Sequence, residues 1–164
     1  MATAAQVTDA IRQADERVAA LEERIRANGD APLPGGAWTV RDALCHVAAR
    51  SNGVPVMLER AERAKRGEDP WQRPAGYCID DVNQGQVDER SDKDVVALLA
   101  EIREGHRAAI DALATVDERL LAASMPNWRG DGEIEVGEML LLATAGHENN
   151  HLNDIERALD GART

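Results

Sequence analysis

The sequence predicts an all-α protein, a four-helix bundle with one long crossover between its second and third helices. Three observations carry that expectation. Of the 164 residues, 28 are alanine, the strongest helix former, whereas Phe is absent and Tyr and Trp total four, so the aromatic residues that favour strands are scarce. Four segments space their apolar residues by three and four, the period of a helix with one buried face. Between the second and third of them, residues 67–91 carry Gly67, Pro70, Pro74, Gly76 and Gly85 and hold no lasting period. A connection of that length in a compact chain either crosses a bundle or carries function. The length suits a single domain spanning 1–164.

The first helix is written in Val7, Ile11, Ala14, Val18, Leu21 and Ile25, with acidic and Arg residues on its other face. Asn28-Gly29 supplies a left-handed stop, and Ala31-Pro-Leu-Pro-Gly-Gly36 breaks the chain beyond it. The second opens at Thr39-Val-Arg-Asp42, a capping signal ahead of Val40, Ala43, Leu44, Val47 and Ala48, with Trp38 placed as a hydrophobic staple. Gly53 and Pro55 should bend or interrupt it before it resumes through Met57, Leu58 and Ala61. Within the crossover, Ile79 to Val87 has room for a short helix. The third helix follows Ser91 through Val95, Leu99, Ile102, His106, Ala109, Leu113 and Val116. The fourth is expected from about Ile134 to Leu159, after a loop whose Gly130-Asp-Gly132 reads as a turn.

Thirty acidic residues against 19 basic ones give a formal charge of −11, which argues against a nucleic-acid or anionic-membrane surface. No apolar run reaches the roughly 18 residues of a membrane span, and the first residues lack the regions of a signal peptide, so a cytoplasmic protein is expected. Cys45 and Cys78 form no CxxC and read as free thiols. The three serines stand outside any nucleophile motif, and no phosphate-binding glycine loop is present.

Chemistry concentrates in the histidines. On the fourth helix, Val136, Leu140 and Ala143 lead into His147 and His151, so an apolar stripe runs into two imidazoles four residues apart on one face. His147-Glu148-Asn149-Asn150-His151 matches H-E-x-x-H, yet the extended protease pattern fails, because Asp154 and Arg157 stand where a Gly and a third His belong. A third ligand comes instead from His46, near the start of the second helix, since bundle metal sites are built from side chains on facing helices. Three imidazoles leave positions open for water, a thiol or substrate, the mark of a catalytic site. Neutral imidazoles suit a divalent metal, zinc or nickel first, with copper and iron also compatible. Glu148 is a candidate base or hydrogen-bond acceptor, with a solvated helix face as the alternative. His106 reads as a core histidine, with a supporting place behind the metal as the alternative.

Trp38-Thr-Val-Arg-Asp-Ala-Leu-Cys-His46, the crossover with Asn83, and His147-x-x-x-His151 together resemble the DinB-like superfamily, in particular the mycothiol-dependent maleylpyruvate isomerase N-terminal type. The resemblance covers roughly residues 10 to 160. It implies a four-helix bundle of unusual connectivity, often a homodimer, whose divalent metal is held by His46, His147 and His151. It also implies a small-molecule substrate and a low-molecular-weight thiol such as mycothiol. On that footing the expected function is a metal-dependent thiol S-transferase or thiol-assisted isomerase acting on a small electrophile, with Asn83 and Asn150 orienting thiol or substrate. Two alternatives stay open: a metal-dependent hydrolase of a small electrophile, with Glu148 relaying the proton, and a non-enzymatic binding or stress protein.

Overall fold

A computed structural model describes residues 2–130 and 132–162. Helix α1, Ala4–Ala27, begins with a capping box in which the Thr3 hydroxyl accepts from the Gln6 N–H and the Gln6 side chain accepts from the Thr3 N–H. Its buried residues are the six apolar positions the spacing marks. Helix α2, Val40–Arg50, starts on the reciprocal Thr39 and Asp42 cap. Where a bend was expected the chain breaks at Ser51 and Asn52, and α3 runs Gly53–Lys65. Pro55 lies in the first turn of α3, where its missing N–H has no intrahelical partner to lose.

The crossover carries α4, Ile79–Asp88, which packs on α2. Helix α5, Val95–Leu113, is capped by Asp94, whose carboxylate accepts from the Ala97 N–H at 2.7 Å, and it packs against α1, α2 and α3. It stops before Val116, because Asp117 caps a separate turn, α6, Glu118–Leu121. The expected start of the fourth helix at Ile134 is corrected: Glu133–Glu135 is a strand, β2, antiparallel to β1, Ser124–Pro126, with Met125 opposite Ile134. Met125 is buried and Ile134 packs against the core, so the pair gains more as a hairpin than as helix. Gly130 and Gly132 both have positive φ, as the turn between the strands requires; Asp131 lies outside the described residues.

The last helix comes in three parts: α7, Val136–Leu141, a π turn over Leu142–Gly146, and α8, His147–Gly161. The widened turn has local causes. Thr144 donates from Oγ1 back to the Leu140 carbonyl at 2.6 Å, and a Cβ on Gly146 would stand 2.9 Å from the Leu141 oxygen. Its effect is on phase. Leu140, Thr144, Glu148 and Leu152 are all buried, although three steps of four turn a plain α-helix by roughly 120°. The π turn absorbs that rotation and keeps Glu148 inside.

The apolar core falls into two clusters. One gathers Val18, Leu21, Leu44, Leu99, Ile102, Leu152 and Ile155, the other Val7, Ile11, Val54, Ala109, Leu121 and Leu140. Three helices change cluster, each at a polar residue: α1 at Asp15, α5 at His106, and the last helix at Glu148. A polar layer therefore crosses the bundle at mid-height. No helix among the described residues is long and apolar enough to cross a membrane.

Candidate metal centre

His46 projects from α2, while His147 and His151 occupy successive turns of α8. One ring nitrogen from each lies within 4.8 Å of the others, and His46 Nε2 approaches His147 Nε2 to 2.8 Å. Nitrogens bound tetrahedrally to one ion at zinc–imidazole distances stand about 3.3 Å apart, so small adjustments fit the three to a single centre. Burial pushes the His46 pKa down to about 4, with the charges of His151 and Arg50 adding to it. His147 is pushed down to about 3, by burial first and then by His151, Arg50 and His46. His151 is also lowered, mainly by burial. The rings are neutral at physiological pH, with lone pairs free for an ion.

The far side of His46 bears on the fit. Its Nδ1 is buried without a hydrogen-bond partner, and so is Gln86 Oε1 on α4. Gln86 opposes the downward shift of His46, which places the amide alongside the ring. A small rotation would let Nδ1–H donate to Gln86 and present Nε2 to a metal. Trp38, expected as a staple, does pack on the core, but its ring also covers the cluster, with centroids 5.3 Å from His46 and 6.1 Å from His151. Its Nε1 donates to Gln84 Oε1 at 3.2 Å, fixing α4 over the site.

Glu148 is not on a solvated face. It is 7% exposed, and its Oε2 lies 2.8 Å from Nε2 of His106, itself 3% exposed. The other nitrogen of His106, Nδ1, is 3.0 Å from Asp15 Oδ1. Carboxylates only accept, so a ring between two of them donates from both nitrogens and carries a positive charge. Burial pulls the His106 pKa down, yet the hydrogen bonds and charges of Glu148 and Asp15 outweigh it and the net shift is upward. Glu148 Oε1 is buried and unpaired, beside a void of about 10 Å³ bordered by His147, Arg50 and Ser51, the size of one water.

Against His147 opens a larger cavity of about 170 Å³, walled by α3, the crossover, the hairpin and the start of the last helix. Asn83 lines it; Asn150 is exposed on α8 and does not. The sequence reading missed Arg50, Arg60, Trp71 and Trp128 on the same walls. One signal was present for Arg50, which follows His46 by four residues on α2 and so shares its face.

A helical bundle brings three neutral imidazoles together from facing helices beside an open cavity, a group that could hold a divalent metal. A family model described as the DinB superfamily matches residues 10–155, a span that includes all three histidines, and the chain belongs to that family. No curated protein and no solved structure matches it.

Proposed function

We propose that the protein is a metal-dependent transferase or isomerase of the thiol-using kind, in which a low-molecular-weight thiol such as mycothiol adds to a small electrophile in the cavity beside His147. The observation that supports this reading is an open cavity at a three-histidine centre that, among the described residues, no Cys, Ser, Thr, Lys or carboxylate lines. Cys45 is buried, lies 3.7 Å from the Arg90 carbonyl, and has its pKa pushed up by burial. Cys78 is exposed and does not line the cavity, and Ser51 donates its hydroxyl to the Ala48 carbonyl. These placements favour an attacking group that arrives from outside. A divalent ion on His46, His147 and His151 supplies Lewis acidity, which favours the anion of a thiol or water and polarises a carbonyl. The chain contributes placement: Trp38 packs against His46 and Gln86 stands beside its ring, while the Asn83 amide offers a donor and an acceptor at the cavity wall.

One observation favours water as the nucleophile instead. Glu148 Oε1 is unpaired beside a one-water void that His147 also borders, and Oε2 leads to His106 and Asp15. In that hydrolase reading Glu148 takes a proton from water and His106 steadies its charge. The carboxylate does not, however, line the larger cavity where a substrate would sit.

Elemental analysis of the purified protein, beside a His147→Ala, His151→Ala double variant, is the first test. About one first-row metal per chain, lost in the variant, is expected. Consumption of an electrophile such as an epoxide or maleylpyruvate should then require added mycothiol, bacillithiol or glutathione. Turnover without thiol, abolished by Glu148→Gln, transfers the conclusion to the hydrolase. Absence of metal after anaerobic reconstitution removes both and leaves a binding protein.

A further inference from the structure

The cavity beside His147 departs from the charge of the rest of the molecule. The chain carries 30 acidic residues and 19 basic ones, yet three arginines line this cavity and, among the described residues, no carboxylate does. Arg50 and Arg60 form no ion pair with any described residue. Such isolation is unusual in a protein whose other arginines so often find carboxylates: Arg17 with Glu156, Arg24 with Asp160, Arg63 with Glu59, and Arg90 with Glu101. Arg50 and Arg60 are both half-buried, and because a guanidinium stays charged in any protein, an anion reaching the pair would offset the cost of removing it partly from water.

Placement adds direction. Arg50 is close enough to the centre that its charge acts on His46, His147 and His151 alike. It also repels Arg60, and burial together with that repulsion lowers the Arg50 pKa. Arg60 stacks on Trp71, with its guanidinium carbon 5.2 Å from the ring centroid, and Arg73 stacks 5.4 Å from Tyr77. Arg73 also donates to the Trp128 carbonyl, tying the crossover to the hairpin. Flat apolar walls thus flank two cations whose donors lack acceptors, in the cavity that His147 also lines.

We propose that this cavity binds a small organic anion, with a carboxylate, sulfonate or phosphoryl group on Arg50 and Arg60, a flat apolar body against Trp71 and Trp128, and its reactive carbon turned toward the histidines. This rests on the proposed function only for the last of those three statements; the anion site itself needs no metal. Planar forks such as guanidinium match carboxylate and phosphoryl oxygens in pairs, which fixes orientation as well as affinity. The substrate of the proposed reaction is thereby an anionic electrophile rather than a neutral one.

Tryptophan fluorescence gives the test, since two of the three tryptophans line the cavity. Benzoate, phenylphosphonate and neutral benzamide are titrated into metal-free and zinc-loaded protein. Both anions should quench saturably in either form, with benzamide at least tenfold weaker. Arg50→Gln and Arg60→Gln should each weaken the anions tenfold or more with circular dichroism unchanged, Arg60→Lys should recover part, and Arg24→Gln on the surface should bind as the parent does. Equal binding of benzamide and benzoate overturns the proposal, as does parent-like binding by Arg60→Gln or silence with both anions. Should Arg50→Gln fail to fold, Arg60→Gln and Arg60→Lys decide alone. The two ideas fail separately: anion binding by a protein that takes up no metal refutes the enzyme and keeps the site, whereas one zinc per chain with no anion binding does the reverse.

Discussion

Gly105 lies on α5 against the junction of α2 and α3, one residue before His106, and Gly105→Ala sets two effects of opposite sign against each other. By helix propensity alone, alanine inside a helix should stabilise by about 1 kcal/mol. Packing says otherwise. The added Cβ would stand 2.0 Å from Ser51 Oγ, 2.7 Å from Ser51 Cβ and 3.0 Å from the Asn52 nitrogen. Rotating the Ser51 hydroxyl away relieves the first contact only and gives up its 3.0 Å bond to the Ala48 carbonyl, worth about 1 kcal/mol. The other two contacts involve atoms no rotamer moves, so α5 must shift from the α2–α3 junction, an overpacking that costs about 1 to 3 kcal/mol. The balance is a destabilisation of about 1 to 3 kcal/mol, which for a chain of this length lowers the melting temperature by roughly 2 to 12 °C. Circular-dichroism melting and urea unfolding of the metal-free protein read it directly. Adding Ser51→Gly removes two of the three contacts and should recover half of the loss or more. A Gly105→Ala protein as stable as the parent would refute the close approach, and with it the placement of Arg50 and His46 that this junction sets.

Two further expectations concern the polar layer. His106→Leu strands Glu148 in the interior and should lower unfolding free energy by roughly 3 kcal/mol, with His106→Gln recovering part; an unchanged urea midpoint would show that the pair contributes nothing. The pH dependence of the metal-free protein should have two limbs. His46 and His147 are depressed in the fold, so their contribution is present above the unfolded value near 6.5 and is lost as pH falls toward about 4 and 3, at up to about 1.4 kcal/mol per pH unit for each. His106 is raised, so its contribution is full below about 6.5 and declines as pH climbs through its folded value. Urea midpoints from pH 4 to 9 should therefore fall on the acid side in the parent, and the alkaline decline should vanish in His106→Leu. The acid limb should be shallower in His46→Gln, His147→Gln protein, where His151 remains as a depressed imidazole; a limb as steep as the parent's would contradict the first assignment.

Much of the architecture was legible because periodicity survives in sequence: the six apolar residues of α1 and the Thr39 cap of α2 need only local chemistry to be read. The convergence of three histidines was legible for a similar reason, since a four-residue step on a helix fixes two imidazoles and only His46 had to be supplied from elsewhere. What stayed hidden depends on long-range pairing. Ile134 belongs to a strand only because Met125 lies opposite it, and a three-residue strand leaves too short a pattern to see. The inward turn of Glu148 arises from a π turn whose causes, Thr144 and Gly146, look unremarkable in a chain rich in small residues. The meeting of His106 with Glu148 and Asp15 joins three helices, and nothing in the spacing of any one of them announces it.

Only part of the cavity wall shares its origin with the histidines: Arg50 stands on α2 with His46 and Arg60 on α3, but the flat walls come from elsewhere. The imidazoles hang from α2 and α8, helices that are seated in the apolar core, while Trp71, Arg73, Tyr77 and Trp128 come from the crossover and the hairpin at the periphery. Substitutions in those peripheral segments disturb little buried surface, so they are free to drift without endangering the fold. On the proposed function, selection can exchange one substrate for another there while the three histidines are inherited intact. On that reading, a bundle divided in this way is equipped to diversify, its chemistry kept constant by the core and its clientele rewritten at the edge.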